Sequence, residues 1–163
     1  MKKYGSFSGV VTSIEDYLVG AEEELTGCFK FMSVVGDDGS VVNFVISPTT
    51  YFLDHVVVSV GNRVTGYYDV NVPVILIYPP QYQALIIVKE NPYHTVKVDF
   101  FNNELISSDG QLQLNITGYT PILLQNDQPF TLPPTNRNLL VVYSAATFSI
   151  PVQTTPHKIV VLC

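Results

Sequence analysis

The chain has 163 residues, of which 47% are hydrophobic and 13% are charged, and its formal net charge is −6 at pH 7. An average soluble domain carries about 25% charged residues, so this composition predicts a folded, core-rich protein and argues against disorder. Because only eight lysines and arginines oppose fourteen carboxylates, binding to a nucleic-acid phosphate backbone or to an anionic membrane surface is disfavoured.

The first half of the chain alternates apolar and polar residues with a period of two, which is typical of half-buried β-strands. Gly36-Asp37-Asp38-Gly39 and Gly61-Asn62 provide the chemistry of tight hairpin turns. Residues 17–26 are predicted to form a loop, with a short helix as the alternative. The predicted strands span residues 8–16, 27–35, 40–47, 56–60, 63–68 and 84–88.

The second half repeats this organisation in diverged form. Asn62-Arg63 and the strand that ends at Tyr68 correspond to Asn136-Arg137 and the strand that ends at Tyr143. Prolines punctuate the segment after that strand in both halves, where they exclude a helix or a central strand. The predicted strands of this half span residues 94–101, 111–116, 118–124, 139–143 and 157–162.

Five short strands that open with a G-x-V pattern resemble the OB-fold, a five-stranded Greek-key barrel, through the segments GVVTSIED, VVNFVIS and VSVGNRVTGYYD. The whole chain also resembles a poorly characterised family of Gram-positive bacterial proteins, through GYYD, LIYPPQY, SSDGQLQLNI, NRNLLVVY and SIPVQTTP. Some members are associated with the N-terminal, non-catalytic domain of copper amine oxidases, which implies no copper here. We therefore predict an all-β protein of two tandem OB-like barrels packed together, residues 1–90 and 91–163.

The loop after the strand of residues 63–68, which takes the place of the fourth OB-fold strand, is the candidate ligand surface, because the corresponding loop flanks the ligand face of OB-folds. Tyrosines, with an apolar ring and a polar tip, suit a saccharide or an extended peptide. The alternative is that this loop packs on the body of the protein, as a plug of the barrel end or between the halves. The predicted ligand-binding residues are Arg63, Tyr67, Tyr68, Tyr78, Gln81 and Tyr82.

No motif in the chain points to catalysis or to a metal. His55, His94 and His157 are scattered without metal-ligand spacing, and no nucleophile elbow, phosphate-binding glycine loop or Cys-His signature is present. We predict a protein that is not an enzyme and holds no cofactor or metal. Cys28 is predicted to be a buried thiol within a strand, because free cysteine is usually buried.

The function that these observations favour is a non-catalytic module that binds a protein or a cell-envelope saccharide. A purely structural or self-associating module is the alternative, and a single-stranded nucleic-acid binder is a further alternative that the acidic charge disfavours. No membrane insertion is expected, and the oligomeric state is left open. No hydrophobic region follows the N-terminal lysines, so the chain as written is expected to be cytoplasmic, or envelope-bound or secreted if its precursor is longer.

Overall fold

A computed structural model describes residues 2–18 and 23–163, which are organised in two compact units, Met1–Glu90 and Asn91–Cys163. Strands make up 45% of the described residues and helices 4%, so the all-β prediction is confirmed. The helical part consists of two single-turn 3-10 segments, Glu23–Leu25 and Leu53–His55.

The first unit forms one seven-stranded sheet from its described residues. The strands are β1 (Tyr4–Asp16), β2 (Lys30–Val35), β3 (Val41–Ile46), β4 (Tyr51–Phe52), β5 (Arg63–Asp69), β6 (Gln81–Gln83) and β7 (Ile86–Lys89). Their order is β4-β7-β5-β1-β2-β3-β6. Neighbours are antiparallel except for two parallel pairs, β3 with β6 and β4 with β7.

The turn between β2 and β3 forms where glycine and aspartate predict it. The Gly36 N–H donates to the Ser40 carbonyl at 2.8 Å, and Gly39 adopts a φ of +84°, a conformation that favours glycine. The predicted strand over residues 56–60 is wrong, because this segment pairs with no strand and leaves Val57 and Val60 exposed. Gly61 does form a turn, at a φ of +94°, but this turn leads into β5 from an irregular segment.

The core of the first unit lies on one face of these strands, where alternate residues of each strand point inward. It contains Val11, Met32, Val34, Val42, Phe44, Ile46, Val64, Ala84 and Ile87. Phe44 is fully buried and its ring lies against the backbone of Gly66, where a Cβ atom would come within 2.5 Å of the ring. This close approach explains the glycine in the middle of β5, a position that ordinarily weakens a strand.

The second unit contains a four-stranded and a two-stranded sheet. The strands are β8 (Thr95–Phe101), β9 (Leu112–Leu114), β10 (Ile122–Leu124), β11 (Arg137–Tyr143), β12 (Val152–Thr154) and β13 (Lys158–Val161). The larger sheet has the order β10-β13-β11-β8, and β9 pairs with β12 in parallel. The core of the second unit contains Phe101, Leu112, Leu114, Leu139, Val141, Ile159 and Val161.

None of the sheets formed by residues 2–18 and 23–163 is closed into a barrel, so the predicted pair of OB-like barrels is not confirmed. Residues 19–22 of the predicted loop lie outside the described residues. No helix in the described parts of the chain is long and apolar enough to cross a membrane.

Cys28 corrects a further prediction. Because β2 begins only at Lys30, Cys28 lies in the turn before this strand and is exposed. Its Sγ lies 3.2 Å from the Glu24 carbonyl oxygen. Cys163 is also a free, exposed thiol.

A polar turn before β9 is held together by the carboxylate of Asp109. Lys97 forms an ion pair with it, the Ser107 hydroxyl donates to it at 2.6 Å, and the Gln111 N–H donates at 3.0 Å. Partial burial acts to raise the pKa of Asp109, but these hydrogen bonds outweigh it and lower the pKa to about 2.

We expect Asp109→Asn to lower the free energy of unfolding by no more than about 1 kcal/mol at pH 7, because the Asp109 side chain is 44% exposed and water screens its ion pair. An aspartate in an unfolded chain has a pKa of about 3.9, so the folded-state pKa is depressed. The stabilisation is therefore present above pH 4 and is lost as the pH falls towards 2. Urea unfolding of both proteins at pH 7 and at pH 2 tests this. An equal loss of unfolding free energy in Asp109→Asn at the two pH values would contradict the assigned cause.

Candidate functional site

A small cleft opens beside the end of β5, between that strand, β6 and the loop of residues 70–80, which we name the apolar loop. Its volume is about 170 Å³. One side is apolar and is formed by the loop and Leu85, whereas the polar groups come from the two strands. The lining residues are Tyr68, Asp69, Val72, Pro73, Val74, Ile75, Gln81, Tyr82, Gln83 and Leu85.

A stacked pair of tyrosines forms the floor where the cleft meets the core. The rings of Tyr68 and Tyr82 are nearly parallel, at 3°, with centroids 3.8 Å apart, and both are half-buried against the core. Tyr82 also lies 6.4 Å from the Phe44 ring. Burial, followed by the hydrogen bond with Tyr82, raises the pKa of Tyr68, so the Tyr68 phenol is neutral near pH 7 and can donate a hydrogen bond.

Tyr67 lies on the opposite face of β5 from Tyr68, because successive strand residues point to opposite faces. It is buried and does not line the cleft. Burial, and then the charge of Glu90, raises the pKa of Tyr67 to about 12. Its side chain therefore does not reach the cleft, and a ligand contact for Tyr67 stays a prediction.

Arg63 lies at the other end of β5, away from the cleft-lining residues. Its Nη1 donates to Asp37 at 3.0 Å and its Nε donates to Glu90 at 3.1 Å. The hydrogen bond to Asp37, followed by the one to Glu90, raises the pKa of Arg63. These contacts pair Arg63 with acidic side chains, and its role as a ligand contact stays a prediction. Arg137 instead lies over the Phe130 ring at 4.5 Å.

The tip of the apolar loop projects into solvent, whereas residues 72–75 also form a wall of the cleft. The loop's exposed large apolar residues are Val70, Val72, Val74, Ile75, Leu76, Ile77 and Tyr78. Tyr78 is exposed but lies beyond the lining of the cleft. The expectation that this loop plugs a barrel end is therefore not met by its tip, whose chain turns at Ile75–Ile77 through a 2.9 Å backbone hydrogen bond.

The structure thus brings three of the six predicted residues to the cleft, namely Tyr68, Gln81 and Tyr82. Sequence reasoning missed Gln83 and Asp69. Period-two alternation through Gln81-Tyr82-Gln83 could have indicated that both glutamines flank the tyrosine on a strand.

Two of the three histidines meet in the second unit. The ring centroids of His94 and His157 are 4.9 Å apart, and the Ser144 hydroxyl is hydrogen bonded to Nε2 of His157. Among the described residues, no group of three or more His, Cys, Asp or Glu side chains is placed to hold a metal ion. The absence of catalysis and of a cofactor stays a prediction.

No family model, no curated protein and no solved structure matches this chain. The resemblance to a Gram-positive bacterial family therefore stays a prediction.

Proposed function

We propose that the protein is a non-catalytic binding module that holds an extended polypeptide segment in the cleft beside the apolar loop. The observation that carries this proposal is the position of an apolar cleft directly under an exposed loop, with amide and phenol groups along one wall. Binding sites combine an apolar lining with a few polar groups that fix the orientation of the ligand in this way.

The size of the cleft favours a polypeptide over a small molecule. Pockets for small ligands are roughly 300–1,000 Å³, whereas this cleft of about 170 Å³ has room for one or two side chains. A polypeptide can place such side chains in the cleft while its backbone meets the side-chain amides of Gln81 and Gln83. Burying one or two apolar side chains contributes about 1.5–6 kcal/mol in total, so affinities near the millimolar range are expected from this cleft alone.

Strand pairing supports an OB-like organisation of the first unit, which would make the cleft a ligand site of the fold. The segment from β3 to β4 runs parallel to the segment from β6 to β7, first as β3 with β6 and then as β4 with β7. The segment from β3 to β4 and the segment from β6 to β7 therefore run side by side. The two end strands of the sheet, β4 and β6, each lie in one of these two segments. In an OB-fold such a parallel pair closes the barrel, and the loops after the first and fourth strands flank the ligand face.

Contacts at the start of the loop after β1 support the same interpretation. Tyr17 follows β1 directly, and its hydroxyl accepts a hydrogen bond from Gln81 Nε2 at 3.3 Å. The loop after β1 and the apolar loop after β5 thus both adjoin β6. This is the pair of loops that OB-folds use for ligands.

We propose further that the second unit is a diverged copy of the first. The pairs β8–β11, β11–β13, β10–β13 and β9–β12 have the same parallel or antiparallel directions as β1–β5, β5–β7, β4–β7 and β3–β6.

The experiment selects extended peptides from a displayed random library against the immobilised protein and measures their affinities for cleft variants. Val74→Glu and Gln83→Arg change exposed cleft residues that the core does not require. We expect each to weaken the selected peptides at least tenfold, because a charge is placed where an apolar side chain or an amide contact is needed. Val57→Glu is the matched control, since Val57 is an exposed valine away from the cleft.

The same variants separate the competing functions. If soluble envelope glycans bind and lose affinity on Gln83→Arg, the stacked tyrosines and the amides serve a saccharide instead. If neither class depends on Val74 or Gln83, a structural module is favoured, as the buried Tyr67 would allow. Single-stranded nucleic acid is disfavoured by the net charge of −6, and Asp69 is the one charged residue in the cleft lining.

A further inference from the structure

The tip of the apolar loop, residues 75–78, exposes four consecutive apolar side chains. Ile75 is 75% exposed, Leu76 98%, Ile77 49% and Tyr78 75%. Consecutive residues of a turn point in different directions, so apolar groups surround this tip on several sides. A protein groove would cover one side of such a tip, whereas a lipid interface surrounds it.

The chemistry of the whole loop is matched to an uncharged apolar medium. The sequence carries no charged residue from position 70 to position 88. Pro73, Pro79 and Pro80 have no backbone N–H, and the Ile77 N–H donates to the Ile75 carbonyl within the tip. Each removes a donor that would be costly to bury without a partner. Tyr78 supplies a ring with a polar end, the residue type enriched at membrane–water interfaces.

The second unit exposes an apolar loop at the corresponding point of its chain, after β11. Phe148 is fully exposed, Ile150 is 77% exposed, and the sequence is uncharged from position 144 to position 156. Tyr68 of the cleft corresponds to Tyr143, but Tyr82 has no aromatic counterpart on β12, so the stacked pair is absent while the loop keeps its apolar tip. An exposed apolar tip is therefore retained independently of the cleft.

We propose that these two tips insert shallowly into the interfacial region of an electrically neutral phospholipid surface. The inference goes beyond the proposed peptide site and does not depend on it. Four extended residues reach at most about 13 Å, well short of a hydrocarbon core of about 30 Å, so the contact is interfacial and does not span the bilayer. The expectation of no membrane insertion rested on the lack of a spanning segment and of basic charge, and shallow insertion of a neutral loop requires neither.

The test uses tryptophan as a probe, because the chain contains none. Leu76→Trp and Phe148→Trp place the probe at the two tips, and Val57→Trp places it at an 81% exposed valine outside both loops. With phosphatidylcholine vesicles, we expect a blue shift of the emission maximum for the two tip probes and none for Val57→Trp. Replacing part of the phosphatidylcholine by phosphatidylserine should weaken partition, because the protein is acidic.

A second set of variants measures partition by vesicle sedimentation. Leu76→Glu should reduce partition at least tenfold relative to Val57→Glu, while Gln83→Arg, which tests the peptide site, should leave it unchanged. The inference is overturned if no tip probe shifts with vesicles, or if Val57→Trp shifts as much as the tips. It is also overturned if the tip probes shift with rising protein concentration in the absence of lipid, since a second copy of the chain then covers the tip.

Discussion

Gly9→Ala is expected to lower the free energy of unfolding by about 3 kcal/mol, at the upper end of the usual cost of overpacking. A Cβ atom at position 9 would lie 2.2 Å from the carbonyl oxygen of Val35 and 2.9 Å from the nitrogen of Gly36. Both obstacles are backbone atoms, so no side-chain rotation relieves the overlap. The neighbouring pair Val10–Val35 joins β1 to β2, and relief would require these strands to move apart.

Gly118→Ala is the matched control, because a Cβ atom there meets no atom within 4 Å and its φ is not in the left-handed region. Its expected effect lies between zero and a slight stabilisation, since alanine restricts the unfolded chain. Urea unfolding followed by circular dichroism measures both variants. An unchanged midpoint for Gly9→Ala would show that β1 and β2 are not as closely packed as described.

The sequence predicts a strand well where alternation and turn chemistry act together. β2 and β3 were predicted within a few residues because the glycine-aspartate turn between them fixes their pairing locally. Residues 56–60 show the limit of this reasoning. They are four valines and a serine, residues that favour strands, but a strand also needs a partner, and the neighbours of β5 are β1 and β7, which are distant in sequence. Pairing at that distance is not encoded in the segment itself.

The candidate site shows the same division between local and distant information. Successive side chains of a strand point to opposite faces, so Tyr67 and Tyr68 of β5 cannot face the same cleft. This alternation could have removed Tyr67 from the predicted site. The stacking of Tyr68 on Tyr82 could not be foreseen, because it depends on β6 pairing with β3. The exposure of Leu76 was also unforeseen, since a run of apolar residues ordinarily indicates burial.

Gly66→Ala is expected to lower the free energy of unfolding by about 2 kcal/mol through a different obstacle. The added Cβ atom would lie 2.5–2.9 Å from three ring atoms of Phe44, whose side chain is fully buried. Because the obstacle is one side chain, a smaller residue at position 44 should relieve it. Phe44→Leu alone should cost about 1–2 kcal/mol through the cavity that it leaves.

The double variant Gly66→Ala/Phe44→Leu should therefore be more stable than the sum of the two single effects predicts, by about 1 kcal/mol or more. Strict additivity would mean that the strain of Gly66→Ala is relieved by movement of β5 rather than by the ring. The result also bears on binding, because Phe44 adjoins Tyr82 and Tyr82 stacks on Tyr68 at the floor of the cleft. If the Phe44 ring moves, Gly66→Ala should lower the affinity for the selected peptides more than its effect on stability explains. Phe44→Leu should then restore this affinity in the double variant.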